Sequence, residues 1–579
     1  MTSTTRRLAV AAAGLMVLAQ GAASAAGPPV LTTPVHVTKE DVNPVRTYSA
    51  PNLLAHPKDP MVVVGAFADL RTRRCGLVRT MDGGTTWKIL DSSPSPPSYP
   101  SCNSNPRGSF QGLLAFGRDN ALYYALDGWD TQDGGINGNV SMVVSRSTDL
   151  GDTWQPVIAR DARNKAGEAQ ESYRPITGFA VDARTGGQDK IYIGSGRRQP
   201  GFTGANALPV QPVIATSTDG GKTFGEPVNL AESIFTDGAV RQKAFQSATT
   251  VPNASTTTVP APGTRAATPD QPANFGGFGP SVTVDHKGTV YAMWPATYAN
   301  LLPRPSNAIF LSRSEDQGKT WTTSSVTGFE WTIGSFSTVT WSPEGGDQGT
   351  LHAVADGYEK VGVTGYQDIY YYRSTDGGRT WSERRNVTDD DPKDLFGQYY
   401  PNIAVAPNGR IEIAFWDSRD DPGYRANDVY MTTSNDSGAT WSKNLRVTDK
   451  PIDRRIGVWS TNFDITSPPG LAPAKAYTML AWDDTRNTDR SSPDATALGG
   501  GLQDIYTSAV QYEELGGGTS SEAKIALAGV VGLLVVGLAL FGVSMLSRRK
   551  GAGPTSSTGG RVPPPAKAKD SQDSQPLRS

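Results

Sequence analysis

Thr80-Met81-Asp82-Gly83-Gly84-Thr85-Thr86-Trp87 reads as a tight turn that runs straight into a strand. The Asp carboxylate can accept backbone N–H bonds inside the turn, and the Gly permits positive φ. The Thr and the aromatic residue open the next strand, where the ring can pack between strands. The same octet, S/T-x-D-x-G-x-T-W/F, returns at Ser147 to Trp154, Ser217 to Phe224, Ser314 to Trp321, Ser374 to Trp381 and Ser434 to Trp441. Copies spaced by about 60 to 100 residues signal a repeat architecture. Asp82, Asp149, Asp219, Asp316, Asp376 and Asp436 are therefore expected to build turns and not to do chemistry.

Around each octet the same strand order recurs. In the sixth unit, Asn402 to Ala406 is a first strand, Pro407-Asn408-Gly409 a turn, Ile411 to Trp416 a second strand and Asp428 to Thr433 a third. The octet follows, and Trp441 to Val447 is the fourth strand. Four antiparallel strands make one propeller blade. A seventh unit lacks the octet: Ala476 to Trp482 matches Ile411 to Trp416, and Gln503 to Ser508 matches Asn427 to Thr432. Its fourth strand is missing. His36-Val37-Thr38-Lys39-Glu40 is similar to the fourth strands Asn386-Val387-Thr388-Asp389-Asp390 and Arg446-Val447-Thr448-Asp449-Lys450. The N-terminal strand is expected to complete the last blade and leave no open edge. The fold class expected is all-β, a seven-bladed propeller over residues 30–512, with a six-bladed ring as the alternative.

The octet resembles the Asp box, or BNR repeat, of the sialidase superfamily. That resemblance implies a propeller, six-bladed in authentic sialidases, with the box as a structural β-turn. It further implies three arginines on different blades that hold the carboxylate of a sugar acid, a Tyr nucleophile activated by a Glu, and an acidic Asp. The nearest counterpart of the family's F-R-I-P motif is Tyr173-Arg174-Pro175-Ile176, with the residues in another order. Tyr399, Tyr400, Glu171 and Glu330 are available on front loops.

Strands in a blade alternate in direction, so the octets mark the back face and loops 2–3 and 4–1 the front, where function is expected. Cys75 and Cys102 fall on the front of neighbouring blades in an exported chain. A disulfide is expected, with two free thiols as the alternative. The longest front segment, about Gly225 to Phe278, reads as a lid or a disordered insertion. Asp417-Ser418-Arg419, Asp484-Thr485-Arg486 and Asp69-Leu70-Arg71 each follow a second strand, and Arg197-Arg198 sit there in unit three. A guanidinium can grip a carboxylate as a fork. Arg71, Arg174, Asp417, Arg419, Asp484 and Arg486 are the ligand-binding candidates; the competing reading makes each Asp-x-Arg pair a brace within or between blades.

Both ends carry membrane signals. Arg6-Arg7, the apolar run Leu8 to Ala19 and Ala23-Ser24-Ala25 form a signal peptide over 1–25. Residues 513–524 read as a flexible stalk. Ile525 to Leu546 is uncharged and long enough to span a bilayer, and Arg548-Arg549-Lys550 place the tail, 547–579, in the cytoplasm and the propeller outside. A formal net charge of -2 from 54 Lys+Arg and 56 Asp+Glu gives no basic stripe for nucleic acid. Two cysteines and four scattered histidines offer no metal site, and no cofactor is expected. The expected function is a membrane-anchored surface module binding a glycan, wall polymer or protein. The alternatives are a tethered exo-sialidase or related glycoside hydrolase and a purely structural role.

Overall fold

The computed structural model describes residues 28–43, 46–102, 112–129, 140–163, 171–184, 187–198, 210–232, 279–298, 306–328, 333–345, 347–358, 367–390, 397–421, 423, 425–457, 467–488 and 502–512. The segments 1–25, 513–524, 525–546 and 547–579 lie outside them, as does most of the 225–278 insertion. Among the described residues no helix is long and apolar enough to cross a membrane.

Seven antiparallel sheets follow one another along the chain. Blade one is Tyr48–Ala55, Val63–Asp69, Arg74–Thr80 and Lys88–Leu90; blade two is Leu113–Phe116, Leu122–Trp129, Val140–Ser147 and Gln155–Arg160. Blade three is Ser172–Asp182, Lys190–Arg198, Gln211–Ser217 and Val228–Asn229; blade four is Ser281–Val284, Val290–Tyr298, Ser306–Ser314 and Thr322–Ser325. Blade five is Ile333–Ser342, Thr350–Gly357, Asp368–Ser374 and Arg385–Asn386; blade six is Gln398–Val405, Ile411–Asp417, Ala426–Ser434 and Leu445–Arg446. Blade seven supplies Gly470–Pro473, Tyr477–Asp484 and Asp504–Gln511. Its outer edge is filled by the N-terminus: Val30 pairs with Gln511, and Val35 and His36 pair with Thr507 and Tyr506. The ring therefore has seven blades, and the six-bladed alternative is set aside.

The second strands show why this stacking is stable. Val63–Asp69, Thr350–Gly357 and Ile411–Asp417 are buried at every position, so they lack polar alternation and need a neighbour on each face. Seven apolar clusters supply it, one at each junction, from Val64, Leu77 and Tyr124 between blades one and two to Val63, Trp87 and Met479 between blades seven and one. First strands pack against first strands around the axis, with that of blade seven against that of blade one.

The six octets join third to fourth strands and share one hydrogen-bond pattern. In blade five, Asp376 Oδ1 accepts the amides of Arg379 and Thr380 at 3.0 and 2.9 Å, while Thr380 Oγ1 donates to Oδ2 at 2.6 Å. Ser374 Oγ donates to Asp376 and accepts the Gly378 amide. Asp82, Asp149, Asp219, Asp316 and Asp436 each accept the amide and hydroxyl of the Thr four residues on. Gly378 has φ +81°, and a Cβ there would fall on Leu311 of blade four. The turn is thus also the point where one blade docks on the preceding one.

Candidate functional site

With the octets on the back, loops 2–3 and 4–1 open on the front. Cys75 of blade one and Cys102 of its 4–1 loop are joined by a disulfide there, with Cα atoms 5.6 Å apart. Ser101 bridges to Trp129, which fixes this loop on blade two.

The Asp-x-Arg loops of blades six, seven and one share a geometry. Asp417 Oδ1 accepts the Arg419 amide at 2.8 Å, and Oδ2 accepts Arg419 Nε at 2.7 Å. Arg419 then reaches the preceding blade, where Nη1 donates to Asp389 Oδ1 at 2.7 Å; within its own blade Nη2 donates to Asn444 Oδ1 at 3.0 Å and the guanidinium lies 4.6 Å over the Tyr430 ring. Arg486 bonds Asp484 at 2.7 Å, pairs with Asp449 at 2.8 Å and stacks on Tyr506 at 4.3 Å. Arg71 bonds Asp69 at 3.1 Å and Asp41 at 3.2 Å. Asp389, Asp449 and Asp41 all follow the fourth strand of the preceding blade, which for blade one is the N-terminal strand. Each arginine therefore clamps its own loop to the neighbouring blade.

A threonine completes the unit. Thr388, Thr448 and Thr38, in Val-Thr pairs one, one and three residues before those aspartates, donate to Asp368, Asp428 and Asp504 at the heads of the third strands, at 3.0, 2.5 and 3.0 Å. Burial raises the Asp417 carboxyl to about 6 against the pull of Arg419. Burial also raises Asp504, but hydrogen bonds from His36, Arg46 and Asn487 outweigh it and hold that carboxyl below its ordinary value.

Arg174 lies in the first strand of blade three, and its side chain is outside the described residues. Its neighbour Tyr173 is fully buried; the hydroxyl donates to Glu171 and accepts from Arg160 Nε at 3.1 Å, while Arg197 approaches Glu171 at 3.9 Å. Burial, then Glu171, pushes the Tyr173 hydroxyl up to about 12. An attacking phenolate needs an open approach, and Tyr173 is fully buried in this structure. Tyr399 and Tyr400 pack beside the apolar cluster of blades six and seven, and Glu330 is outside the described residues.

Sequence reasoning missed Asp483. It is 1% exposed at the junction of blades seven and one, and accepts from Ser49 Oγ at 2.9 Å and Gln503 Nε2 at 3.3 Å. Burial, with Asp484 adding repulsion, raises its carboxyl to about 7. Its place directly before the Asp-x-Arg triplet was the available signal. The central channel holds a cavity of about 100 Å³ lined by first-strand residues including Asn52, Thr177, Ser281, Ser337 and Asn402. Among the described residues no three His, Cys, Asp or Glu side chains gather to hold a metal ion.

No family model and no curated protein matches the chain. Solved structures similar to it include a protein of unknown function from Dyadobacter fermentans, 15% identical over 84% of this chain and 99% of that one, with a TM-score of 0.41. A PL25 ulvan lyase, a polysaccharide lyase, is 10% identical over 80% of this chain and 94% of that one, with a TM-score of 0.42. Trypanosoma rangeli sialidase is 14% identical over 69% of this chain, with a TM-score of 0.38, and the match spans 54% of the sialidase. At these identities no residue role transfers.

Proposed function

We propose that this chain is a membrane-anchored, extracellular propeller of Asp-box type that binds a glycan, a wall polymer or a protein with its front face. One observation carries the reading: Arg71, Arg419 and Arg486 are each already held by two carboxylates from different blades. A substrate carboxylate could enter such a fork only by displacing a brace that joins two blades. The loops of this rigid rim instead offer partly exposed carboxylates to a ligand, with Asp389, Asp420 and Asp449 side chains 39, 43 and 41% accessible. Such groups accept hydrogen bonds from sugar hydroxyls or from a basic protein. The apolar runs at 8–19 and 525–546 support export and anchoring.

The deciding experiment presents the intact chain with a fluorogenic sialoside and, separately, with immobilised glycans and wall polymer. Retention without fluorophore release is expected. Steady release would instead make the protein an exo-sialidase or related glycoside hydrolase.

A further inference from the structure

In the blades followed by another octet, the residue before the octet faces the next octet turn, and it is not the same residue throughout. In blade one it is Arg79. Its Nη1 donates to the Asp149 and Leu150 carbonyls at 3.2 and 3.1 Å and to Asp152 Oδ2 at 3.0 Å, and Nη2 reaches Asp152 Oδ1 at 3.3 Å. Asp152, the residue after the octet glycine of blade two, thereby neutralises the arginine. In blade five Arg373 donates to the Ser437 carbonyl at 3.0 Å, and in blade four Arg313 pairs with Glu315 of its own turn.

Blade two lacks the Arg79–Asp152 pairing. Its arginine is Arg146, and the residue equivalent to Asp152 in the next turn is Lys222. A cation stands where Asp152 stands beside Arg79, as Arg379 does in the turn that follows Arg313, but Arg313 has Glu315 as its partner. Arg146 turns onto its cross-strand neighbour: Nε donates to Tyr123 Oη at 3.2 Å, and the guanidinium lies 5.8 Å from the ring centre. Among the described residues no carboxylate pairs with Arg146 or with exposed Lys222.

A cavity of about 360 Å³ opens at this place on the back face, lined by Arg118, Tyr123, Arg146, Gln155, Asp189 and Lys222 among others. That volume falls among small-molecule sites, which run from roughly 300 to 1,000 Å³. Two carboxylates line it. Asp189 is occupied: it accepts the Arg118 amide at 3.0 Å and the Tyr123 hydroxyl at 2.9 Å, with Arg118 Nε 3.9 Å away. Asp119 is exposed. Three cationic side chains, Arg118, Arg146 and Lys222, meet two carboxylates there, a surplus of one positive charge.

We propose that this back-face cavity between blades two and three binds a small oxyanion, the carboxylate, sulfate or phosphate group of a compact polar molecule. Arg146 supplies the fork and Lys222 the mobile charge. Tyr123 and Asp189 hold Arg146 and Arg118 in place, and Gln155 offers hydrogen bonds to neighbouring hydroxyls. The site is separate from the front face and does not depend on what binds there.

The test is calorimetric titration of the intact chain with sodium sulfate, sodium phosphate, D-glucuronate and D-glucose. The anions should bind with heats that weaken as salt is raised, and glucose should not. Glucuronate binding tighter than sulfate marks a sugar acid as the natural source; sulfate or phosphate alone marks a free inorganic or ester group. Lys222→Asp recreates the Arg79–Asp152 arrangement beside Arg146. It should weaken anion binding by about tenfold or more without lowering the melting temperature, the scale of a lost charge-assisted hydrogen bond. Lys319→Asp makes the same charge change on blade four, where the facing residue is Thr216, and should leave binding intact. No anion binding in the wild type, equal binding of glucose, or equal losses in the two variants would overturn the proposal.

Discussion

Thr38 Oγ1 donates to Asp504 Oδ1 at 3.0 Å, joining residues 466 apart in sequence across the seam of the ring. The Asp504 carboxylate also accepts Arg46 Nε at 2.6 Å, and the Val37 amide donates to the Ile505 carbonyl at 2.9 Å. The seam is thus held by backbone pairing, a buried carboxylate and its cation.

Removing residues 30 to 40 should abolish a single cooperative unfolding transition, because it bares the edge of Asp504–Gln511. Thr38→Val should cost about 1.5–3 kcal/mol, the scale of one hydrogen bond to a charged group. Asp504 also sets a pH dependence. Its folded pKa lies below the unfolded value of about 3.9, so its contribution is complete above that pH and is lost as acid protonates the folded form. Calorimetric scans of the deletion and of Thr38→Val check both; an unchanged cooperative transition in the deletion would remove the N-terminal strand from the ring's support.

Asp483 acts with the opposite sign. Burial pushes its folded carboxyl up to about 7. Between about pH 4 and that value the unfolded chain gives up a proton that the folded chain keeps, so stability falls across this window and levels off above it. Asp417, raised to about 6, adds to the slope. Asp483→Asn mimics the protonated form and should raise stability at pH 8 by on the order of 1–3 kcal/mol, with little change at pH 4. Identical melting-temperature profiles for variant and wild type from pH 4 to 8 would show that Asp483 is ionised in the fold.

Asp376→Ala should destabilise by about 1–3 kcal/mol, since it leaves the Arg379 and Thr380 amides and the Ser374 hydroxyl without their acceptor. Front-face binding should survive wherever the fold does. Denaturant titration paired with a binding assay measures both, and a stable variant that lost front-face binding would reverse the assignment of the faces.

Arg419→Lys keeps the charge and loses the fork that spans Asp417, Asp389 and Asn444. As a brace, Arg419 predicts a loss of about 1–3 kcal/mol in stability with ligand affinity unchanged. Weaker binding at an unaltered melting temperature would instead make Arg419 part of a ligand site.

Much of this was legible because the decisive bonds are local. The Asp376 turn closes within four residues, so the octet alone specifies it. Val37-Thr38 could be matched to Val447-Thr448 because both perform the same task on a third strand. Tyr173 was harder. Its neighbourhood offered the nearest counterpart of the family's arginine motif, and only the fold showed the ring buried beside Arg160 and Glu171.

The sequence by itself placed the octets at the turns between third and fourth strands and pointed to the N-terminal strand as the one that closes the ring, since both follow from short-range hydrogen bonding and strand likeness; the pairing of that strand with Asp504–Gln511 decided seven blades against six. Tertiary structure decided what the charges do. Arg419 and Asp389, 30 residues apart, become partners only when blade six stacks on blade five. Arg146 and Lys222 come to share a cavity only because blade three docks on blade two. Coulombic and desolvation energies depend on separations of a few ångströms and on exclusion of water, and blade packing sets both.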